Sequence, residues 1–176
     1  MATLACEIHH AHPFADWTGF YRVTAPEMLK IGPYQGGHGC LVIPFSRGVC
    51  GAAARTGKVL NVPDVDAFPD HIACSSSTRS ELVLPVWNGA GTLLGVLDID
   101  SNSPAAFSQA DEDWLVPLLA VLARLPKDGD ALPTEVAFSA HGQGEQWARQ
   151  FGRWPMVSRL WAHEGCLREQ LGAVRF

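Results

Sequence analysis

The sequence predicts an α+β fold, an antiparallel sheet flanked by helices. Three observations point there. Short segments of alternating or dense apolar character recur between Trp17 and Ile99. Two of the longest, Glu81 to Trp87 and Thr92 to Ile99, are joined by Asn88-Gly89-Ala90-Gly91, a sequence suited to a hairpin turn. Residues 108–125 place apolar side chains at helical spacing.

The elements follow in order. Trp17 to Val23 alternates as a half-buried strand, and Met28 to Ile31 forms the next. Cys40 to Phe45 is a dense apolar run read as a third strand. Gly48 to Arg55 reads as a short helix stopped by Gly57. Val59 to Val62 is a short strand that precedes the hairpin. In the last helix, Ser108 is a cap and Asp111 completes a capping box. Trp114, Leu115, Leu118, Leu119, Leu122 and Leu125 form its apolar stripe. Pro117 lies inside that helix and is expected to kink it, at a cost of ~3 kcal/mol. His9-His10-x-His12 reads as a frayed, solvated terminus rather than a metal site.

Composition bounds the class. At 176 residues the chain holds one medium domain, or one domain and a fragment. Its 47% apolar and 18% charged content is that of an ordinary globule. The net charge of −5 argues against a nucleic-acid or anionic-membrane partner. No apolar run reaches the ~18 residues that a spanning helix needs. The first residues show no basic segment followed by an apolar core, so no signal peptide is read and a cytoplasmic location is expected. Five cysteines in that setting are expected to be reduced at rest, with any disulfide transient and catalytic or sensory.

The composition shifts near residue 126. Residues 1–130 hold 14 acidic and 8 basic residues, whereas residues 131–176 hold 4 and 5. The break falls in 126–133, Pro-Lys-Asp-Gly-Asp-Ala-Leu-Pro, which reads as a linker. The chain is thus divided into a domain at 1–125, a linker at 126–133 and a fragment at 134–176.

Cys40, Cys50 and Cys74 carry the chemistry. None of their spacings is that of a zinc knuckle or a thioredoxin motif, with nine residues between the first two and twenty-three between the second and third. His71-x-x-Cys74 with the other two is also atypical of zinc, and no metal is expected. Taken singly, Cys40 in a strand is a small buried hydrophobe, and Cys50 on a glycine-flanked helix could simply pack on the sheet. Asp98 and Asp100 are spaced by two, so a strand would project both from one face. They could also merely end that strand, and Glu81 could be a solvated edge charge. Trp17 and Tyr21 would on most chains be core aromatics.

The phrases around these residues are more specific. They are Trp17-Thr18-Gly19-Phe20-Tyr21, Gly32-Pro33-Tyr34-Gln35-Gly36, Arg47-Gly48-Val49-Cys50-Gly51, His71-Ile72-Ala73-Cys74, Ser80-Glu81-Leu82-Val83-Leu84-Pro85 and Gly95-Val96-Leu97-Asp98-Ile99-Asp100-Ser101. In this order, and with Cys40, they closely resemble the free methionine-(R)-sulfoxide reductases, enzymes built on a GAF domain. The resemblance covers residues 16–125. It implies that Cys74 is the nucleophile that becomes a sulfenic acid, Cys40 the resolving cysteine and Cys50 an accessory thiol. It implies that Glu81, Asp98 and Asp100 surround the substrate and that Trp17 and Tyr21 wall the pocket. It also implies no bound cofactor, thioredoxin (linked to NADPH) as reductant, and a homodimer as one assembly.

The chemistry of the residues agrees with those roles. A sulfoxide sulfur is a poor electrophile until its oxygen is protonated, and crowded carboxylates hold one another's protons. The attacking sulfur must be a thiolate, and a second thiol must reach its sulfenic acid before over-oxidation. Several carboxylates on one face seat a free α-ammonium group and disfavour an acylated one. A GAF module that senses a small molecule or an oxidant without turnover would use the same pocket. The family has a longer N-terminal segment with a helix on the sheet. With sixteen residues before Trp17, that helix is expected to be short or missing. Residues 142–152 and 172–176 resemble part of a domain of unknown function. The fragment reads as β-rich and incomplete, with Trp147, Trp154 and Trp161 as packing residues. Cys6 and Cys166 are assigned nothing.

Overall fold

A computed structural model of the chain describes residues 1–120 and Leu122. The linker expected at 126–133 and the fragment at 134–176 lie outside the described residues. The remainder is α+β, as the sequence predicts. The order is α1 (Ala2–Ala11), β1 (Trp17–Ala25), β2 (Met28–Gly36), β3 (Val42–Pro44), α2 (Gly48–Thr56), β4 (Leu60–Val62), a 3-10 turn at Val65–Ala67, β5 (Ser80–Trp87), β6 (Leu93–Ser101) and α3 (Gln109–Leu119). The six strands form one antiparallel sheet ordered β3-β2-β1-β6-β5-β4.

The period of two along each strand divides the core between the two faces. Phe20, Leu82, Leu84, Val86, Leu97 and Ile99 point to one face, where Ala5 and Ile8 of α1 and Leu115 and Leu119 of α3 cover them. Their neighbours in sequence, Trp17, Tyr21, Val83 and Val96, point to the other, where Val49, Cys50, Ala53 and Ala54 of α2 pack. The second face carries the site.

Several local features sharpen or differ from expectation. Helix α1 is present and ten residues long, and Ala5 and Ile8 are completely buried. The three histidines are not a frayed end. His12 is buried, its Nδ1 lies 3.1 Å from the Ile8 carbonyl and its Nε2 3.4 Å from Asp111 of α3. His9 Nδ1 lies 3.3 Å from the Thr18 hydroxyl. Strand β2 runs to Gly36, past Gly32-Pro33. The register slips between Gly19↔Tyr34 and Tyr21↔Ile31, so a bulge absorbs the proline that would otherwise break the ladder. Strand β3 contracts to Val42–Pro44, which leaves Cys40 outside the ladder.

Another is α3. Its N-terminus has the expected capping box, with the Asp111 carboxylate accepting from the Ser108 N–H at 2.7 Å. Pro117 lies in the last turn of the helix, which ends at Leu119, and removes the N–H that would otherwise reach the carbonyl four residues back. The hairpin forms as read. Asn88 Oδ1 accepts from the Ala90 and Thr92 N–H groups, and Gly91 takes a φ of 76°. Among the described residues, no helix is long and apolar enough to cross a membrane.

Candidate functional site: a disulfide over buried carboxylates

Strand register brings the acidic residues together. Glu81 stands opposite Asp100 across the β5–β6 ladder, and Val83 stands opposite Asp98. Glu81, Asp98 and Asp100 therefore share one face as immediate or diagonal neighbours. Helix α2 lies on that face and presents Cys50, whose thiol donates to Glu81 Oε1 at 3.7 Å. Cys50, Glu81 and Asp98 are all buried, the last only 5% exposed. Asp98 Oδ1 has no hydrogen-bond partner among the described residues.

The loop between β4 and β5 forms the lid of this cluster. Asp64 accepts from the Asp66 N–H and opens the 3-10 turn that redirects the chain. Gly48, with a φ of 71°, donates its N–H to the Asp70 carbonyl and ties the loop to α2. A Cβ at Gly48 would press on Ile72 at 3.3 Å, and the left-handed backbone independently favours glycine. His71 and Cys74 thus hang over the sheet, with His71 Nε2 4.0 Å from Glu81 Oε2.

Cys74 is joined to Cys40 by a disulfide whose Cα atoms are 5.1 Å apart. The two cysteines are 34 positions apart and the chain between them spans β3, α2 and β4, so the bond clamps the loop to the opposite side of the cleft. Cys50 is a free thiol beneath it.

Two spaces adjoin Cys74 of the disulfide. The inner one is lined by Cys50, His71, Cys74, Glu81 and Asp98, and retains about 20 Å³. The outer one has about 260 Å³ and is lined by Asp16, Trp17, Tyr21, Gly37 to Gly39 and Asn102. Cys74, Ser75, Thr78 and Asp100 border both. Trp17 stacks on Tyr21 and Tyr34, with ring centroids 5.6 and 5.4 Å apart, and its Nε1 donates to the Gly37 carbonyl at 3.2 Å. Trp17 and Tyr21 are thus both core aromatics and pocket walls.

Burial sets the electrostatics. Desolvation, reinforced by Asp100, pushes the Glu81 carboxyl up to about 8. Desolvation first, then the Glu81 charge, raises Asp98 well above the usual carboxylate range. Asp100 is raised by burial and by Asp98. Burial, then Asp98 and Glu81, pushes the Cys50 thiol up, so it rests protonated. The cluster holds protons near neutral pH, and a cation entering it would meet acidic groups with unfilled hydrogen-bonding capacity.

Seven of the eight residues singled out in the sequence line these two spaces, and the eighth, Cys40, is joined to Cys74 at their border. His71, Ser75 and Thr78 were not assigned a role, although His71 lies in the same short phrase as Cys74.

Fold and matched sequence agree on one class. The GAF domain family matches residues 4–125. The free methionine-R-sulfoxide reductase of Saccharomyces cerevisiae is 42% identical over 109 residues, 61% of each chain. Protein YtsP of Bacillus subtilis is 42% identical over 124 residues, 70% of this chain and 76% of that protein. The X-ray structure of free methionine-R-sulfoxide reductase from Neisseria meningitidis in complex with its substrate is 44% identical, with a TM-score of 0.66, covering 69% of this chain and 72% of that one. The chain belongs to the GAF family, in the group that contains the free methionine-R-sulfoxide reductases.

Proposed function

We propose that this domain reduces free L-methionine-(R)-S-oxide to L-methionine. The observation that carries the reading is a Cys40–Cys74 disulfide set over a buried carboxylate cluster. The relatives named as reductases support the substrate class.

In the reduced enzyme, the Cys74 thiolate attacks the sulfoxide sulfur while a protonated carboxyl, Glu81 or Asp98, gives its proton to the oxygen. Their raised pKa values suit them to donate at neutral pH. The protonated oxygen passes to the Cys74 sulfur as the substrate S–O bond and the newly formed S–S bond break, so the substrate leaves as the thioether and Cys74 becomes a sulfenic acid. The Cys40 thiol then attacks that sulfur, water departs and the observed disulfide forms. A dithiol of the thioredoxin class returns both cysteines to thiols and is itself oxidised. Asp98 and Asp100 receive the free ammonium group, and Trp17 and Tyr21 hold the rest of the amino acid. Cys50, held protonated by burial, is a reserve thiol able to enter exchange only when the cleft opens.

NADPH consumption with thioredoxin and thioredoxin reductase tests the reading, comparing free R and S sulfoxides. The expected result is steady turnover on the R form alone. Sulfoxide binding without turnover would make the domain a binding or redox-sensing module instead.

A further inference from the structure

Cys50 Sγ, Glu81 and Asp98 each offer a ligand atom, and these atoms lie within 4.8 Å of one another. Four-coordinate zinc with sulfur at ~2.3 Å and oxygen or nitrogen at ~2.0–2.2 Å requires ligand atoms about 3.3–3.8 Å apart. The Cys50–Glu81 separation of 3.7 Å falls in that range without movement. His71, with Nε2 4.0 Å from Glu81, stands as a fourth donor of the type zinc favours.

An independent observation marks the same spot. Asp98 lines the inner space, and its Oδ1 is buried without a hydrogen-bond partner, a condition that favours entry of a group able to satisfy it. The inner space of about 20 Å³ accepts one water-sized body, which is also sufficient for a bare divalent ion. We propose that the inner cleft binds one thiophilic divalent cation of the zinc type, through Cys50, Asp98 and Glu81 with His71 completing the set.

This set differs from the one the sequence disfavours. Cys40 and Cys74 are tied to each other, and Cys50 is turned toward carboxylates that lie 31 and 48 positions further along the chain. A bound cation takes Asp98, one of the two carboxylates assigned above to the substrate ammonium, and Glu81, a candidate proton donor, so it acts as an inhibitor. The inhibition, though not the binding, rests on the reductase reading.

The test uses the full chain in its disulfide form, stripped with EDTA, with Co²⁺ as the spectroscopic probe. Cys40 and Cys74 are then unable to ligate. One equivalent of Co²⁺ is expected to give a thiolate charge-transfer band and visible bands of a four-coordinate site, both removed by Zn²⁺. Cys50→Ser should lose the thiolate band, whereas Cys6→Ser with Cys166→Ser should keep it. Asp98→Asn should bind at least tenfold more weakly, and it decides the matter if Cys50→Ser does not fold. Absence of a thiolate band, its persistence in Cys50→Ser, or unchanged affinity in Asp98→Asn would each overturn the proposal. If the site binds Co²⁺ through Cys50 but Zn²⁺ leaves sulfoxide turnover unaffected, the assignment of inhibition fails. If no turnover exists to inhibit, the reductase reading fails and the cation site stands.

Discussion

Gly19 and Asp98 face each other across the β1–β6 ladder, so the residue of β1 that lacks a side chain stands opposite the carboxylate with the unfilled oxygen. The Trp17 ring lies across Gly19, and a Cβ there would collide with that ring and with Tyr34. Gly19→Ala is expected to displace Trp17 and to cost about 1–3 kcal/mol, as overpacking does elsewhere. Urea unfolding should show the loss of stability, and near-UV circular dichroism should show the changed indole environment.

Cys74→Ser is expected to abolish sulfoxide reduction. Cys40→Ser is expected to keep one stoichiometric reduction per chain while slowing thioredoxin-driven turnover, because the sulfenic acid loses its partner. Quenched single-turnover assays with product analysis distinguish the two. Normal turnover in Cys74→Ser would remove it from the nucleophile's role.

Asp98→Asn is expected to weaken binding of free methionine sulfoxide by ~1.5–3 kcal/mol, the worth of a charge-assisted hydrogen bond. The N-acetylated sulfoxide should be a poor substrate for the unaltered protein. Calorimetric binding and steady-state rates check both, and equal activity on the two sulfoxides would count against an ammonium seat at the carboxylates.

Glu81 links pH to both rate and stability. Its folded value of about 8 lies above its ordinary 4.5, so between these values the folded chain keeps a proton that the unfolded chain has lost. Its contribution to stability is full below about 4.5 and declines as pH rises through about 8. Glu81→Gln should flatten that part of the stability profile in urea titrations. Single-turnover reduction should show an alkaline limb near pH 8 as this proton donor ionises, and Glu81→Gln should remove that limb.

Helix α1 is expected to contribute to the core rather than decorate it. Ile8 is completely buried against the sheet face, and Ile8→Ala should cost ~2–5 kcal/mol. Thermal and urea unfolding measure this directly, and a change near zero would show that the helix is dispensable.

Local signals were legible without the fold. The period of two in β5 and β6, the Asn88 turn, the Ser108–Asp111 cap and the stop at Gly57 are all fixed by neighbouring residues. The shared face of Asp98 and Asp100 follows from the same period. Most of the candidate site is also legible, because its cysteines, carboxylates and aromatics stand in phrases resembling a known family, whereas His71, Ser75 and Thr78 enter it only through the fold. Tertiary structure decided what depends on partners distant in sequence. The bulge against β1 carries β2 past Pro33, and burial by α3 and the sheet orders a histidine-rich terminus that reads as solvated. Register places Glu81 opposite Asp100, and α2 brings Cys50 to them, leaving Asp98 with an unfilled oxygen. The physical reason is range: turns, caps and periodicity depend on a few adjacent residues, whereas desolvation and the pairing of charges depend on what the folded chain places across the sheet.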